Sequence, residues 1–222
     1  VVAWLAGTAR EAATASGPSL SQHMETVGTV DHLREFFVHR SVYQRKEADG
    51  HCWALPRLAG PAKSAMVEIQ ADEYGGGRPG QAHADLFADA MASVGLDPAY
   101  GAHVHRVPAT TLATDNLVSL LGLHRRLRGA LVGHLALFEM TSVVPMGRYA
   151  RAVERLGLPG AARRFYDVHV MADEHHQVVA LEGLVRGLLA REPALAADVA
   201  FGAAAVAEGE RRFSHHLLNA CD

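Results

Sequence analysis

The chain has 222 residues, 49% of them hydrophobic, which is enough for one domain with a sizeable core. Its formal net charge of −3 gives no electrostatic case for nucleic acid or an anionic membrane. Two cysteines, Cys52 and Cys221, are too few for a disulfide framework and point to a reduced, cytoplasmic setting.

Strand signals are weak, and apolar residues recur at three- and four-residue spacing. The spacing predicts an all-α chain with helices over 2–15, 29–48, 61–75, 79–95, 110–122, 125–144, 147–156, 159–188 and 192–219. Breakers separate them: Gly17-Pro18, Asp49-Gly50, Gly75-Gly76-Gly77, Pro79-Gly80, Asp97-Pro98, Pro108, Pro145, Gly157 and Pro193. The Ser/Thr/Gly-rich segment 16–28 is expected to be a mobile connection. The most apolar run, 130–144, contains His134 and Glu139 and is expected to end at Pro145. It reads as too short and too polar to span a membrane. No repeat divides the chain, so a single domain over 1–222 is expected. Because the first residue is Val rather than Met, the native N-terminus is expected to lie outside this numbering.

Five helical stripes carry groups with metal chemistry. Leu33, Phe36, Arg40, Tyr43 and Glu47 share one stripe, although Glu47 fits a surface helix end equally well. Ala62, Met66, Ile69 and Glu73 share another, so helix phase selects Glu73 over Glu68 and Asp72. His83, Phe87, Ala90 and Val94 follow beyond three glycines, which let the chain reverse so that Glu73 and His83 can meet. Glu139 shares its stripe with Val132, Leu135 and Val143. A carboxylate on an apolar face must be neutral, ion-paired to an arginine or metal-bound. Finally, His169-x3-Asp173-x2-His176 places two imidazoles and a carboxylate on one helix face, either a metal half-site or a polar, solvated face.

Together these are four carboxylates and three imidazoles from separate helices, the donor set with which helical bundles hold two irons. Oxygen and imidazole donors without thiolate partners suit Fe(II) or Mn(II) rather than structural zinc. The ferritin-type Glu-x-x-His pair is absent. His134 fits either a core histidine or a group behind Glu139, His103 and His105 are expected in solvent, and His175 faces away from His176.

The segments Glu47 to Leu58, Val67 to Gly77 with His83 to Phe87, Asn116 to Arg148, and the His-x3-Asp-x2-His helix resemble the haem-oxygenase-like diiron oxidases, a family of iron-containing redox enzymes. The resemblance covers about residues 30–220. It implies a single-domain haem-oxygenase-like bundle of about seven core helices, without haem, that holds two Fe and takes O2 as co-substrate. It also implies that one iron binds Glu47, His83 and His176, that the other binds Glu139, His169 and Asp173, and that Glu73 bridges them. No catalytic group separate from these ligands is expected. The implied activity is an oxidase or oxygenase working through a peroxo-diferric intermediate on a small amine or amino acid in specialised metabolism, by desaturation, cyclisation, N-oxygenation or C–C cleavage. An external electron donor and a homodimer are compatible partners; nucleic acid and membrane are not expected. Phe36, Arg40, Tyr43, Phe87 and Phe138 are candidates for the substrate pocket, each also readable as core or surface. Arg40 and Arg148 are candidates for binding a substrate carboxylate. Two other readings fit the same fold. One is a haem-binding or haem-degrading protein, which has no use for four inward carboxylates. The other is a non-catalytic ligand-binding member.

Overall fold

The computed structural model describes residues 1–221, which are helical with no strand among them. The helices are α1 (Val2–Thr14), α2 (Leu20–Thr26), α3 (Val30–Gln44), α4 (Asp49–Cys52), α5 (Gly60–Glu73), α6 (His83–Ser93), α7 (Ala109–Leu123), α8 (Arg128–Arg155), α9 (Gly160–Val178), α10 (Arg186–Arg191) and α11 (Ala196–Cys221). Between α9 and α10 one π-helical segment, Val179–Val185, carries the chain on without a break.

Three elements depart from the sequence reading. The segment expected to be a mobile connection contains α2. Ser19 caps this helix by accepting from the Gln22 backbone N–H, and Leu20 and Met24, one turn apart, are buried. Helix α3 stops at Gln44, so Glu47 lies in the turn that leads to α4 rather than on a helix end. Pro145 does not end the apolar helix but sits inside the 28-residue α8. A proline there removes one backbone donor. Packing of α8 against both α9 and α11 along its length outweighs that loss. With the preceding turn, 125–155 is long and apolar enough to cross a membrane, contrary to the reading of 130–144 alone. Of its most apolar window, 67% is buried inside the bundle, which marks a core helix.

Helices α8 and α11 approach closely because each carries a glycine at the crossing. A Cβ on Gly133 would stand 1.9 Å from the Val199 carbonyl oxygen, and one on Gly202 would stand 1.8 Å from that of Ala130. The apolar interior forms two main clusters. One gathers Ile69 of α5, Leu135 of α8 and Leu184 of the π segment. The other gathers Phe87 of α6, Phe165 of α9 and Phe37 of α3. Glu73 and Glu139 continue the stripes of the first cluster, and His83 and His169 those of the second. The polar residues therefore meet at the seam between them.

Candidate metal centre

All seven residues singled out in the sequence come together, and none is more than 8% exposed. Glu73 is the last residue of α5 and His83 the first of α6. Gly75, Gly76 and Gly77 between them all have positive φ, the left-handed conformation that favours glycine. A Cβ on Gly75 would meet the Gln81 backbone at 2.4 Å, so the tight return that joins Glu73 to His83 needs glycine there. Glu139 comes from the middle of α8, and His169, Asp173 and His176 come from α9.

Their donor atoms fall into two groups that share Glu73. Glu47, Glu73, His83 and His169 each present an atom within 4.8 Å of the others, and so do Glu73, Glu139 and His176. His83 Nδ1 lies 3.0 Å from Glu73 Oε2, His169 Nε2 3.4 Å from Glu47 Oε2, and His176 Nδ1 3.3 Å from Glu139 Oε2. Asp173 Oδ1 is 3.8 Å from His176 Nδ1. This grouping differs from the split that the resemblance implied: His169 lies with Glu47 and His83, and His176 with Glu139. The reason is where α6 crosses α9. The His83 and His169 rings lie tilted against each other with centroids 4.1 Å apart, and His176 lies two turns further along, beside α8.

The site fits cations. Five of its atoms, Glu47 Oε2, Glu73 Oε2, His83 Nδ1, His169 Nε2 and His176 Nδ1, are buried without a hydrogen-bond partner although they point at one another. Buried polar atoms are rarely left so, and four buried carboxylates repel one another unless positive charge lies between them. In the metal-free protein protons take that place. Burial raises Asp173 to about 7, with Glu139 adding to it, and burial and Glu47 together raise Glu73. Burial alone would lower His169 and His176; Glu47 and Glu139 beside them reverse this and raise them to about 10 and about 9. Burial, with His169 adjacent, pushes His83 down to about 3.

Behind the donors lie groups that fix their orientation. His169 Nδ1–H donates to the Phe165 carbonyl at 2.9 Å, which leaves Nε2 for the cluster. Asp72 Oδ2 is 3.1 Å from His176 Nε2, and Ser142 Oγ donates to Asp173 Oδ2 at 2.6 Å. Sequence reasoning set Asp72 aside for its helix phase and missed Ser142. The available signal for Ser142 was its position three residues after Glu139, on the same face of α8. His134 is a satisfied core histidine, 3.1 Å from His51. His103, expected in solvent, is buried, with its Nε2 3.0 Å from the Asp97 carbonyl oxygen. His175 faces away and pairs with exposed Glu68.

Two cavities flank the cluster. The larger, about 830 Å³, lies among α1, α2, α3, α8, α9 and α11. Phe36, Arg40, Phe138, Ser142, Arg148 and Tyr166 are among its lining residues. The smaller, about 150 Å³, is lined by Tyr43, Lys46, Glu47, Asp49, Trp53 and Asp115, among others. Of the expected pocket residues, Phe36, Arg40 and Phe138 line the large cavity. Tyr43 lines the small one, with its ring 5.3 Å from that of Phe138. Phe87 lines neither and packs in the core between Phe37 and Phe165. Arg40 is already bidentate to Glu210, with its guanidinium 4.1 Å above the Phe213 ring, so its charge is matched from within. Arg148 contacts the Ser19 and Ser21 hydroxyls at 3.3 and 3.4 Å and stands 3.7 Å from Glu25.

A nitrosourea synthase from Streptomyces achromogenes subsp. streptozoticus is 26% identical over 130 residues, which are 59% of this chain and 28% of that protein. A CADD-like protein of unknown function from Nostoc punctiforme PCC 73102 shares the fold with a TM-score of 0.75 at 15% identity, over 99% of this chain and 98% of that one. A second structure of that protein gives a TM-score of 0.71 at 14% identity. The sequence pattern of the iron-containing redox enzymes matches residues 34–211, four-fifths of the chain, including every donor of the buried cluster. The chain therefore belongs to the iron-containing redox enzyme family.

Proposed function

We propose that this chain is a non-haem diiron oxidase or oxygenase that uses O2 on a small amine or amino-acid substrate in specialised metabolism. The observation that carries this reading is the pair of donor groups with Glu73 common to both, because a carboxylate shared by two adjacent sites is suited to bridging two cations. Iron bound there supplies electrons to reduce O2 and an oxidant strong enough to attack a C–H or N–H bond. The protein's own residues provide the rest. Four carboxylates offset the charge of two divalent ions, while Asp72, Ser142 and the Phe165 carbonyl hold the donors in place. The two apolar clusters keep bulk water from the seam.

The substrate is assigned to the large cavity. It borders the centre through Ser142, which touches Asp173, and through Phe138 beside Glu139. Arg148 is the cation placed to receive a substrate carboxylate, since Arg40 is matched by Glu210. The partly matching nitrosourea synthase is named for a product with an oxidised nitrogen, which supports an amine nitrogen as one reacting centre. A reducing cytoplasm suits ferrous iron, with electrons from an external donor.

The test is anaerobic loading with Fe(II) and metal counting, followed by mixing with O2 and a panel of amines and amino acids. Two irons per chain, a transient visible absorbance and substrate-dependent O2 uptake are expected. One iron or none on the folded protein sinks the reading.

A further inference from the structure

The seven donors are buried, so an ion reaches them only through the protein's own openings, and the two cavities offer opposite charge. The large one is lined by Arg10, Arg40, Arg148 and Arg211 against a single carboxylate, Glu210, and by none of the seven donors. The small one is lined by Glu47, Asp49 and Asp115 against a single lysine, Lys46. Glu47 is itself a donor of the buried cluster, with Oε2 buried and without a hydrogen-bond partner.

Size separates the cavities as well. At about 30 Å³ per water, the small cavity of about 150 Å³ has room for about five waters. That admits a partly hydrated divalent ion and excludes a substrate with an apolar body. Its other walls include Tyr43, Trp53, Val118 and Leu123, and low-dielectric walls around like charges strengthen their pull on an ion. Lys46 Nζ lies 3.0 Å from Asp115 Oδ2, with 28% and 16% of the two side chains exposed. The pair joins the turn after α3 to α7. Displacing Lys46 from this pair leaves the Asp115 carboxylate free to hold an incoming ion.

We propose that the small cavity between α3, α4 and α7 is the port through which divalent metal ions reach the buried cluster. The Lys46–Asp115 pair is its gate, and Glu47 is the first donor an ion meets. The large, arginine-lined cavity is left to the organic substrate. The inference rests on the reading of the cluster as a metal centre.

Trp53 lines the port, and the chain has only one other tryptophan, Trp4. In a Trp4→Phe background, Trp53 emission therefore reports an ion passing. The whole protein is mixed anaerobically with Fe(II) in a stopped-flow instrument, and iron content is measured at the end point. Asp115→Asn is expected to slow uptake roughly 3- to 10-fold and Lys46→Met to speed it, both reaching the wild-type iron content. Added salt is expected to slow the wild type by screening the carboxylates. Rates within twofold of wild type in both variants would overturn the port. So would faster uptake in Arg211→Glu, in the large cavity, with the small-cavity variants unchanged. A wild type that holds no iron at equilibrium would overturn the metal centre itself, and the port with it.

Discussion

Asp72 Oδ2 lies 3.1 Å from Nε2 of His176, while Nδ1 of the same ring faces Glu139. One imidazole thus joins a half-exposed carboxylate at the end of α5 to the buried cluster. A carboxylate on the outer nitrogen fixes the ring and raises its basicity as a ligand, and losing such a partner typically weakens metal affinity about 10- to 100-fold. Asp72→Asn is expected to fall in that range, with helix content unchanged. A competition titration against a chelator measures it, and wild-type affinity in the variant would remove Asp72 from the site.

The metal-free protein should lose stability as pH rises above about 6.5. His169 and His176 are raised above their unfolded values, so their contribution is complete below the unfolded histidine value. It is lost as pH climbs through about 9 to 10. Asp173 and Glu73 are raised too, and ionising them in place destabilises the fold, so they act in the same direction over the lower part of that range. His83, pushed down, acts the other way only near and below the unfolded histidine value and is neutral in both states at higher pH. Thermal melts in chelator at pH 6.5, 7.5 and 8.5 should give a falling midpoint. Metal loading at pH 7.5 should release protons to a dilute indicator. A midpoint that is flat or rises with pH contradicts this account of the cluster.

Arg40 and Glu210 form a largely buried pair between α3 and α11 beneath the large cavity. Removing one partner leaves the other charge uncompensated. Glu210→Gln is therefore expected to cost about 2–4 kcal/mol in urea unfolding, the lower part of that range reflecting the 27% exposure of the Glu210 side chain. Replacing both with methionine should recover most of the loss, because a matched apolar pair restores packing without a stranded charge. A double variant as unstable as the single one would mean that the pair contributes more than charge matching.

The crossing of α8 and α11 leaves no space for a Cβ on either glycine. Gly133→Ala and Gly202→Ala each place that carbon within 2 Å of a backbone carbonyl oxygen on the facing helix. Each is expected to cost at least about 1–3 kcal/mol, since backbone rather than a flexible side chain must move. Gly209→Ala, on the same helix with only Thr114 Cγ2 at 3.9 Å, should be close to neutral. Denaturation midpoints of the three variants decide the matter. A Gly133→Ala protein as stable as wild type would show that the helices can separate without penalty.

Helix phase alone set Glu73 and Glu139 on apolar stripes and put His169, Asp173 and His176 on one helix face. That these groups meet at one centre was implied by the family resemblance, since phase left Glu139 open to an ion pair and the α9 face open to solvent. The Gly75 to Gly77 return and the all-helical class were legible in the sequence as well, since backbone conformation and helix phase are local. Glu47 was the weakest choice from phase, and it lies in a turn beyond α3, where helix phase carries no information. Only the tertiary structure decided which donors share a group. His169 and His176 are seven residues apart on one helix, about 10 Å along its axis. Which end meets α6 and which meets α8 depends on how those helices cross. The same holds for Asp72, whose side chain reaches His176 from outside the apolar stripe. It holds for Pro145, tolerated because α9 and α11 flank the helix it interrupts, and for α2, too short to persist without the surfaces that bury Leu20 and Met24. Local spacing specifies faces; packing between distant elements specifies neighbours.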